Sequence, residues 1–147
     1  MSGIVYVLNG PNLNLLGVRE PHLYGSTTLP QVELLCRQVA GELGLKCDFR
    51  QTNHEGVMVD WVQEAREKAA AVVINPAGLS FRSIPLLDAL KTLDQPIAEV
   101  HITNIHRRDT LYQHSLVSLA ATGVICGFGP FGYEMAFRAL AQRLAPA

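Results

Sequence analysis

The amino-acid sequence predicts a single α/β domain with a doubly wound, five-stranded parallel sheet and helices on both faces. Short runs of β-branched residues alternate along the chain with stretches in which apolar residues recur every three or four positions. The strand-like runs are apolar at consecutive positions, which is typical of parallel strands covered by helices on both faces. The length of 147 residues suits one domain, and no linker, repeat or low-complexity segment interrupts it.

The first unit pairs a buried strand with an amphipathic helix. Residues 4–8 predict a strand that ends at the turn-forming residues 9–11. The helix that follows is predicted to begin at a capping box formed by Thr28 and Gln31 and to end before Gly44. Its inward face is predicted from apolar residues at helical spacing: Leu29, Val32, Cys36, Val39 and Leu43.

The remaining units repeat this alternation. Further strands are predicted at about residues 46–51, 72–74, 96–102 and 123–127. Helices are predicted from apolar faces that run from Met58 to Ala69 and from Tyr133 to Leu144, and after Ser83. Five strand–helix units match the size of a flavodoxin-like sheet.

The composition limits the kinds of binding partner and the cellular compartment that can be expected. The chain carries 12 Lys plus Arg against 13 Asp plus Glu, a balance that does not favour nucleic acid or an anionic membrane. Cys36, Cys47 and Cys126 have no metal-binding spacing and are predicted to be buried, reduced thiols. No signal peptide and no apolar run of about 18–20 residues is found. We therefore expect a soluble cytoplasmic protein without a metal site.

Polar residues collect where the predicted strands end. They follow the first, third and fourth strands: Asn9, Asn12, Asn75, His101, Thr103, Asn104, His106, Arg107 and Arg108. Because the carboxyl ends of parallel strands meet at one edge of a sheet, we expect these residues to surround a ligand site. A G-x-G-x-x-G match at residues 127–132 lies in the last unit and has no following strand, so no dinucleotide cofactor is predicted.

A segment of about twenty residues, 9–28, shows no clear periodicity and is the expected binding loop. Within it, residues 18–26 are the expected lid and carry Arg19 and Tyr24. A guanidinium next to a phenol favours the phenolate, so this pair could supply a general base, and His101 could supply a general acid. From the residues alone, Tyr24 could equally be a packing residue and His101 a structural one.

Five segments together resemble the type II dehydroquinase family: LNGPNLNLLG at 8–17, REPHLYG at 19–25, QTNHEG at 51–56, NPAG at 75–78 and EVHITNIH at 99–106. The resemblance runs from about residue 4 to the last helix. It implies a cofactor-free anti elimination of water from 3-dehydroquinate, which gives 3-dehydroshikimate through an enolate. It also implies a homo-oligomer, a dodecamer of four trimers with shared active sites.

The resemblance also implies a role for each matching residue. Tyr24 would remove the proton α to the carbonyl, and Arg19 would hold Tyr24 as a phenolate. Asn12 would position the water or the hydrogen bonds that stabilise the enolate, and His101 would protonate the departing hydroxyl. The substrate carboxylate would bind Asn75 and the backbone N–H groups of Ile102 and Thr103, and Asp88 would reach into a neighbouring subunit's site.

Two residues depart from the family pattern. Phe81 stands where the family usually has a histidine, and Tyr112 stands where it usually has an arginine. In the family both residues bind ring hydroxyls of the substrate, and each lost hydrogen bond costs roughly 1–3 kcal/mol. We expect dehydration with a raised KM. The alternatives are a diverged paralogue that dehydrates a related cyclic hydroxy-keto acid and a non-catalytic member that binds a small carboxylate.

Overall fold

Five parallel strands form one sheet in the order β2-β1-β3-β4-β5. A computed structural model describes residues 3–146. The strands are β1 Ile4–Asn9, β2 Lys46–Gln51, β3 Ala71–Asn75, β4 Ile97–His101 and β5 Gly123–Cys126. This strand order reverses direction beside β1, as in a doubly wound sheet, and the predicted fold class is confirmed.

Helices cover both faces of the sheet. They are α1 Pro21–Tyr24, α2 Leu29–Glu42, α3 Glu55–Lys68, α4 Ile84–Leu90 and α5 Phe131–Leu144. Alternate side chains of a strand point to opposite faces. Val5 and Val7 accordingly pack in the core cluster with α2 and α5, whereas Tyr6 and Leu8 pack in the cluster with α3 and α4.

The start of α2 shows the predicted capping box. The Gln31 side chain accepts a hydrogen bond from the Thr28 N–H at 2.9 Å, and the Thr28 hydroxyl accepts one from the Gln31 N–H at 3.4 Å. Such a cap stabilises a helix by about 1 kcal/mol. Gly44 lies just beyond the helix with φ +73°, the left-handed conformation expected there.

The two edge strands are less covered than the sequence pattern predicts. All residues of β3 and β4 are buried, but β2 is only partly buried and Val124 of β5 is 43% exposed. An edge strand has a neighbour on one side only, so helices shield it incompletely. The prediction of buried thiols is therefore right for Cys36 and wrong for Cys47 and Cys126, which are only partly buried.

The segment between β1 and α2 contains two short helices that the sequence analysis missed. Residues Leu13–Leu15 form a 3-10 helix and Pro21–Tyr24 form α1. Elements of three or four residues complete about one turn at most, so no periodicity can reveal them. No helix within residues 3–146 is long and apolar enough to cross a membrane.

Candidate active site

A cavity of about 210 Å³ opens at the carboxyl edge of the sheet, where β1, β3 and β4 end. Its wall combines the turn after β1, the segment around α1, the residues after β3 and β4, and the loop before β5. The lining residues are Pro11, Asn12, Leu13, Arg19, Tyr24, Asn75, Ala77, Gly78, Phe81, His101, Ile102, Thr103, Ile105, Arg108 and Tyr112.

All of the predicted site residues except Asp88 line this cavity. Asp88 lies on α4 with an exposed side chain, away from the cavity of its own chain. Four other residues expected at the edge of the sheet do not line this cavity. Asn9 is fully buried beneath the site, and Asn104 caps a 3-10 helix by accepting from the His106 N–H. The His106 side chain is exposed, and Arg107 lines an adjoining groove.

Two guanidinium groups lie near the ring of Tyr24. The ring centroid of Tyr24 is 5.3 Å from the guanidinium carbon of Arg19 and 5.9 Å from that of Arg108. Positive charge close to a phenol stabilises its ionised form, as a catalytic base requires. Arg108 was not predicted in this role, because it lies 84 positions after Tyr24 in the sequence.

Gly17 and Ser26 are in close contact, so the two ends of the segment 18–26 lie together. Gly17 has φ +89°, and a Cβ at this position would lie 2.8 Å from the carbonyl oxygen of Ser26. The two ends of the segment therefore meet in backbone contact, at a position where only glycine fits without strain. Arg19 and Tyr24 lie within this segment and line the cavity.

Asn12 is held in a left-handed conformation, with φ +69°. Its backbone N–H donates to the side-chain oxygen of Asn53 at 2.9 Å. Gln51 donates to the same oxygen at 3.1 Å and to the carbonyl of Gly10 at 3.2 Å. The QTNHEG segment thus holds the turn after β1, although neither Gln51 nor Asn53 lines the cavity.

His101 is paired with a buried carboxylate. Nε2 of His101 contacts Oε2 of Glu99, and Oε1 of Glu99 accepts from the Ser118 hydroxyl at 2.6 Å. Burial alone raises the pKa of Glu99, but the hydrogen bonds from His101 and Ser118 outweigh it and hold the pKa below its usual value. An ionised carboxylate in this position stabilises a protonated imidazole, the form that a general acid needs.

Glu99 was missed by the sequence analysis, although a signal for it exists. Residues two apart on a strand share a face, so Glu99 and His101 had to be neighbours once β4 was placed. A carboxylate in an otherwise apolar central strand also requires a partner.

Asn75 ends β3 and is 3% exposed. Its side-chain oxygen accepts from the Ala77 N–H at 3.3 Å, and its Nδ2 donates to the Tyr133 hydroxyl at 2.9 Å. Ile102 and Thr103 follow β4 and line the cavity beside it. This part of the cavity presents amide groups and no carboxylate, as an anionic ligand requires.

Phe81 and Tyr112 form an aromatic wall. Their ring centroids are 5.5 Å apart with an interplanar angle of 85°, an edge-to-face contact. Phe81 also lies 6.3 Å from the His101 ring, and the Arg108 guanidinium lies 4.3 Å from the Tyr112 ring. The two residues expected to depart from the family pattern are thus neighbours that form one surface.

Comparisons with known proteins show the family to which the chain belongs. The family described as dehydroquinase class II matches residues 3–141. The chain is 55% identical to 3-dehydroquinate dehydratase 1 from Agrobacterium fabrum, over 95% of this chain and 97% of that protein. It is 55% identical to a 3-dehydroquinate dehydratase from Phenylobacterium zucineum, over 96% and 97% of the two chains.

Solved structures give the same result. The structure of type II dehydroquinase from Propionibacterium acnes matches with a TM-score of 0.93 and 45% identity, over 97% of this chain and 98% of that chain. A 3-dehydroquinate dehydratase-like protein from Bifidobacterium longum matches with a TM-score of 0.75 and 32% identity, over 97% and 98% of the two chains.

Proposed function

The chain belongs to the class II dehydroquinase family and catalyses the dehydration of 3-dehydroquinate, and we propose that Tyr24 is its general base and His101 its general acid. One observation carries this assignment. Tyr24 and His101 line the same cavity, and each has beside it the charge that its role requires. Tyr24 lies against the Arg19 guanidinium, and His101 contacts the Glu99 carboxylate.

The first step forms an enolate. The Tyr24 phenolate takes a proton from the carbon α to the ketone, and the electron pair of that C–H bond moves to the carbonyl oxygen. Arg19 and Arg108 stabilise the phenolate before the transfer, since both guanidinium groups lie against its ring. Asn12, held in its left-handed turn, positions the water or the hydrogen bonds that stabilise the enolate oxygen.

The second step expels water. The enolate electrons form the new carbon–carbon double bond as the C–O bond of the β-hydroxyl breaks, and the His101 imidazolium protonates the leaving oxygen. Glu99 stays ionised and stabilises the imidazolium before the transfer. Tyr24 ends the cycle protonated and His101 neutral, so exchange with solvent restores both. Neither step draws on a redox change, and the resemblance implies no cofactor.

The substrate carboxylate is proposed to bind at Asn75 and the backbone N–H groups of Ile102 and Thr103. The aromatic wall of Phe81 and Tyr112 then faces the hydroxylated ring. Phe81 offers no hydrogen bond, and Tyr112 offers one hydroxyl in place of a cationic fork. We therefore expect weaker substrate binding than with histidine at position 81 and arginine at position 112. The residues that transfer protons are retained.

Residues 18–26 are proposed to act as a lid, since they carry Arg19 and Tyr24 and are closed at Gly17 and Ser26. The exposed Asp88 is proposed to contribute to the site of a neighbouring subunit within a trimer-based dodecamer. The proposed compartment is the cytoplasm. Light scattering tests the assembly, because a dodecamer has twelve times the 16.1 kDa mass of the chain.

The ultraviolet absorbance of the conjugated enone product tests the assignment of the base. Wild-type protein should produce this absorbance from 3-dehydroquinate, and Tyr24→Phe should lower kcat by at least about 100-fold. Tyr6→Phe is the matched control, because Tyr6 lies in the core and its hydroxyl donates to Glu64, away from the cavity. Equal kcat values for wild type and Tyr24→Phe would remove Tyr24 from this role.

A further inference from the structure

A series of buried and partly buried hydrogen bonds runs behind the cavity and includes the side chain of Asn75. Asn9 Nδ2 donates to the carbonyl of Arg50 at 2.9 Å, and the Tyr133 hydroxyl donates to Asn9 Oδ1 at 2.7 Å. Asn75 Nδ2 donates to the Tyr133 oxygen at 2.9 Å, and Ala77 N–H donates to Asn75 Oδ1 at 3.3 Å. Asn9 and Tyr133 are fully buried, and Asn75 is 3% exposed.

The donor–acceptor order of these hydrogen bonds is fixed at both ends of the series. The Arg50 carbonyl can only accept, so Asn9 must turn its NH₂ group to Arg50 and its oxygen to Tyr133. The Tyr133 hydroxyl has one hydrogen and donates it to Asn9, so toward Asn75 it can only accept. The Ala77 N–H can only donate, so it requires the Asn75 oxygen. Both ends therefore impose the same orientation on the Asn75 amide.

This orientation decides what Asn75 offers to a ligand. Its oxygen faces Ala77 and one N–H faces Tyr133, so the second N–H of Nδ2 remains for the cavity. A carboxylate accepts hydrogen bonds and repels an amide oxygen, so binding depends on this orientation. Tyr133 does not line the cavity and acts only through Asn75.

We propose that Tyr133 is a positioning residue, whose hydroxyl orients the Asn75 amide so that it presents an N–H group to the substrate carboxylate. The inference rests on the proposed role of Asn75 in carboxylate binding. Without the hydroxyl, only the 3.3 Å contact with Ala77 would hold the amide, and its oxygen could turn to the cavity. Carboxylate ligands would then lose affinity. A carboxamide, which both donates and accepts, can pair with either orientation.

The test compares two non-reactive ligands, a hydroxylated cyclohexanecarboxylate and its carboxamide, by calorimetric titration. Tyr133→Phe should lower the preference for the carboxylate by about 5- to 10-fold, the loss expected for one hydrogen bond. The KM for 3-dehydroquinate should rise by a similar factor, and kcat should change by less than about twofold, since this contact serves binding. Tyr6→Phe, the matched control, should leave the preference and KM unchanged, because its hydroxyl pairs with Glu64.

A second variant tests the same series of hydrogen bonds from the Asn9 end. Asn9→Leu removes the acceptor of the Tyr133 hydrogen, which is then free to turn toward Asn75 and favour the reversed amide. The carboxylate preference should fall at least as far as in Tyr133→Phe. This variant carries the test if Tyr133→Phe does not fold.

A third variant, Asn75→Ala, tests the proposed carboxylate site itself. If all three variants lose the carboxylate preference, the result supports both the positioning role of Tyr133 and the carboxylate-binding role of Asn75. Loss in Asn75→Ala, with an unchanged preference and KM in Tyr133→Phe and Asn9→Leu, overturns the inference alone, even if the Tm of those variants falls. An unchanged preference in Asn75→Ala shows that the carboxylate binds elsewhere, and both statements are then wrong.

Discussion

The carboxylate of Glu99 is fully buried behind His101 and can reach substrate only through that ring. Replacing it by an amide keeps the volume and removes the charge that stabilises the imidazolium. Glu99→Gln should therefore lower kcat by about 10-fold or more and leave KM nearly unchanged, because the acid acts in the transition state. Steady-state kinetics measure both quantities.

Ser118→Ala is a milder change at the same carboxylate and serves as the control for Glu99→Gln. It removes one hydrogen bond to Glu99 and retains the charge, so kcat should fall less than in Glu99→Gln. A Glu99→Gln enzyme with unchanged kcat and a raised KM would place Glu99 in substrate binding and not behind the acid.

Phe81 and Tyr112 are proposed to set how tightly the substrate ring is held. Phe81→His with Tyr112→Arg should lower KM for 3-dehydroquinate without changing kcat, because the new hydrogen bonds bind ground state and transition state alike. The two rings are in edge-to-face contact, so the single substitutions should not be additive, with a coupling energy of about 0.5–1.5 kcal/mol. A higher kcat at constant KM would show that these positions act in proton transfer.

At the scale of elements, the short segment around α1 carries Tyr24, the proposed base, and Gly17 closes this segment against Ser26. Gly17→Ala places a Cβ 2.8 Å from the Ser26 oxygen at φ +89°, so the ends of the segment must separate. This substitution should displace Tyr24 and Arg19 and so lower kcat/KM by about 10-fold or more. The same assay as for Tyr24→Phe measures this loss.

Gly41→Ala is the matched glycine substitution. Gly41 lies within α2, and a Cβ there would meet no atom within 4 Å. Its activity should equal that of wild type, and its stability should rise slightly, because alanine favours helix. Unchanged kcat/KM in Gly17→Ala would show that the closure of this segment does not place the base.

At the scale of the whole molecule, an ion-pair network joins β2 to α3 and makes stability depend on pH. Hydrogen bonds from Arg50 and Tyr6 lower the pKa of Glu64 from 4.5 to about 2. A carboxyl with a lowered pKa stabilises the fold above its unfolded pKa and loses that contribution as the pH falls through the folded value. The free energy of unfolding should therefore decrease between about pH 4.5 and pH 2.

Urea unfolding at a series of pH values measures this dependence. Glu64→Gln should be less stable near neutral pH and should show a shallower decrease between about pH 4.5 and pH 2. An identical slope in wild type and variant would assign the acid sensitivity to other carboxylates.

The parts of this molecule that the sequence predicts are those encoded locally. Strand positions, the capping box at Thr28 and the shared edge of Asn12, Asn75 and His101 follow from periodicity and from parallel topology. Partners from distant segments do not follow: Asn53 for Asn12, Tyr133 for Asn75, and Ser118 for Glu99, the neighbour of His101. Folding alone brings such pairs together, so spacing cannot reveal them.

Proton exchange at the substrate tests most directly whether Tyr24 removes the carbon-bound proton before His101 acts. 3-Dehydroquinate is incubated in D₂O with His101→Ala or with Tyr24→Phe, and nuclear magnetic resonance follows deuterium at the carbon α to the ketone. His101→Ala should incorporate deuterium faster than it forms product, because its enolate forms and cannot expel water, whereas Tyr24→Phe should do neither. Exchange by Tyr24→Phe at the rate of His101→Ala would contradict the assignment.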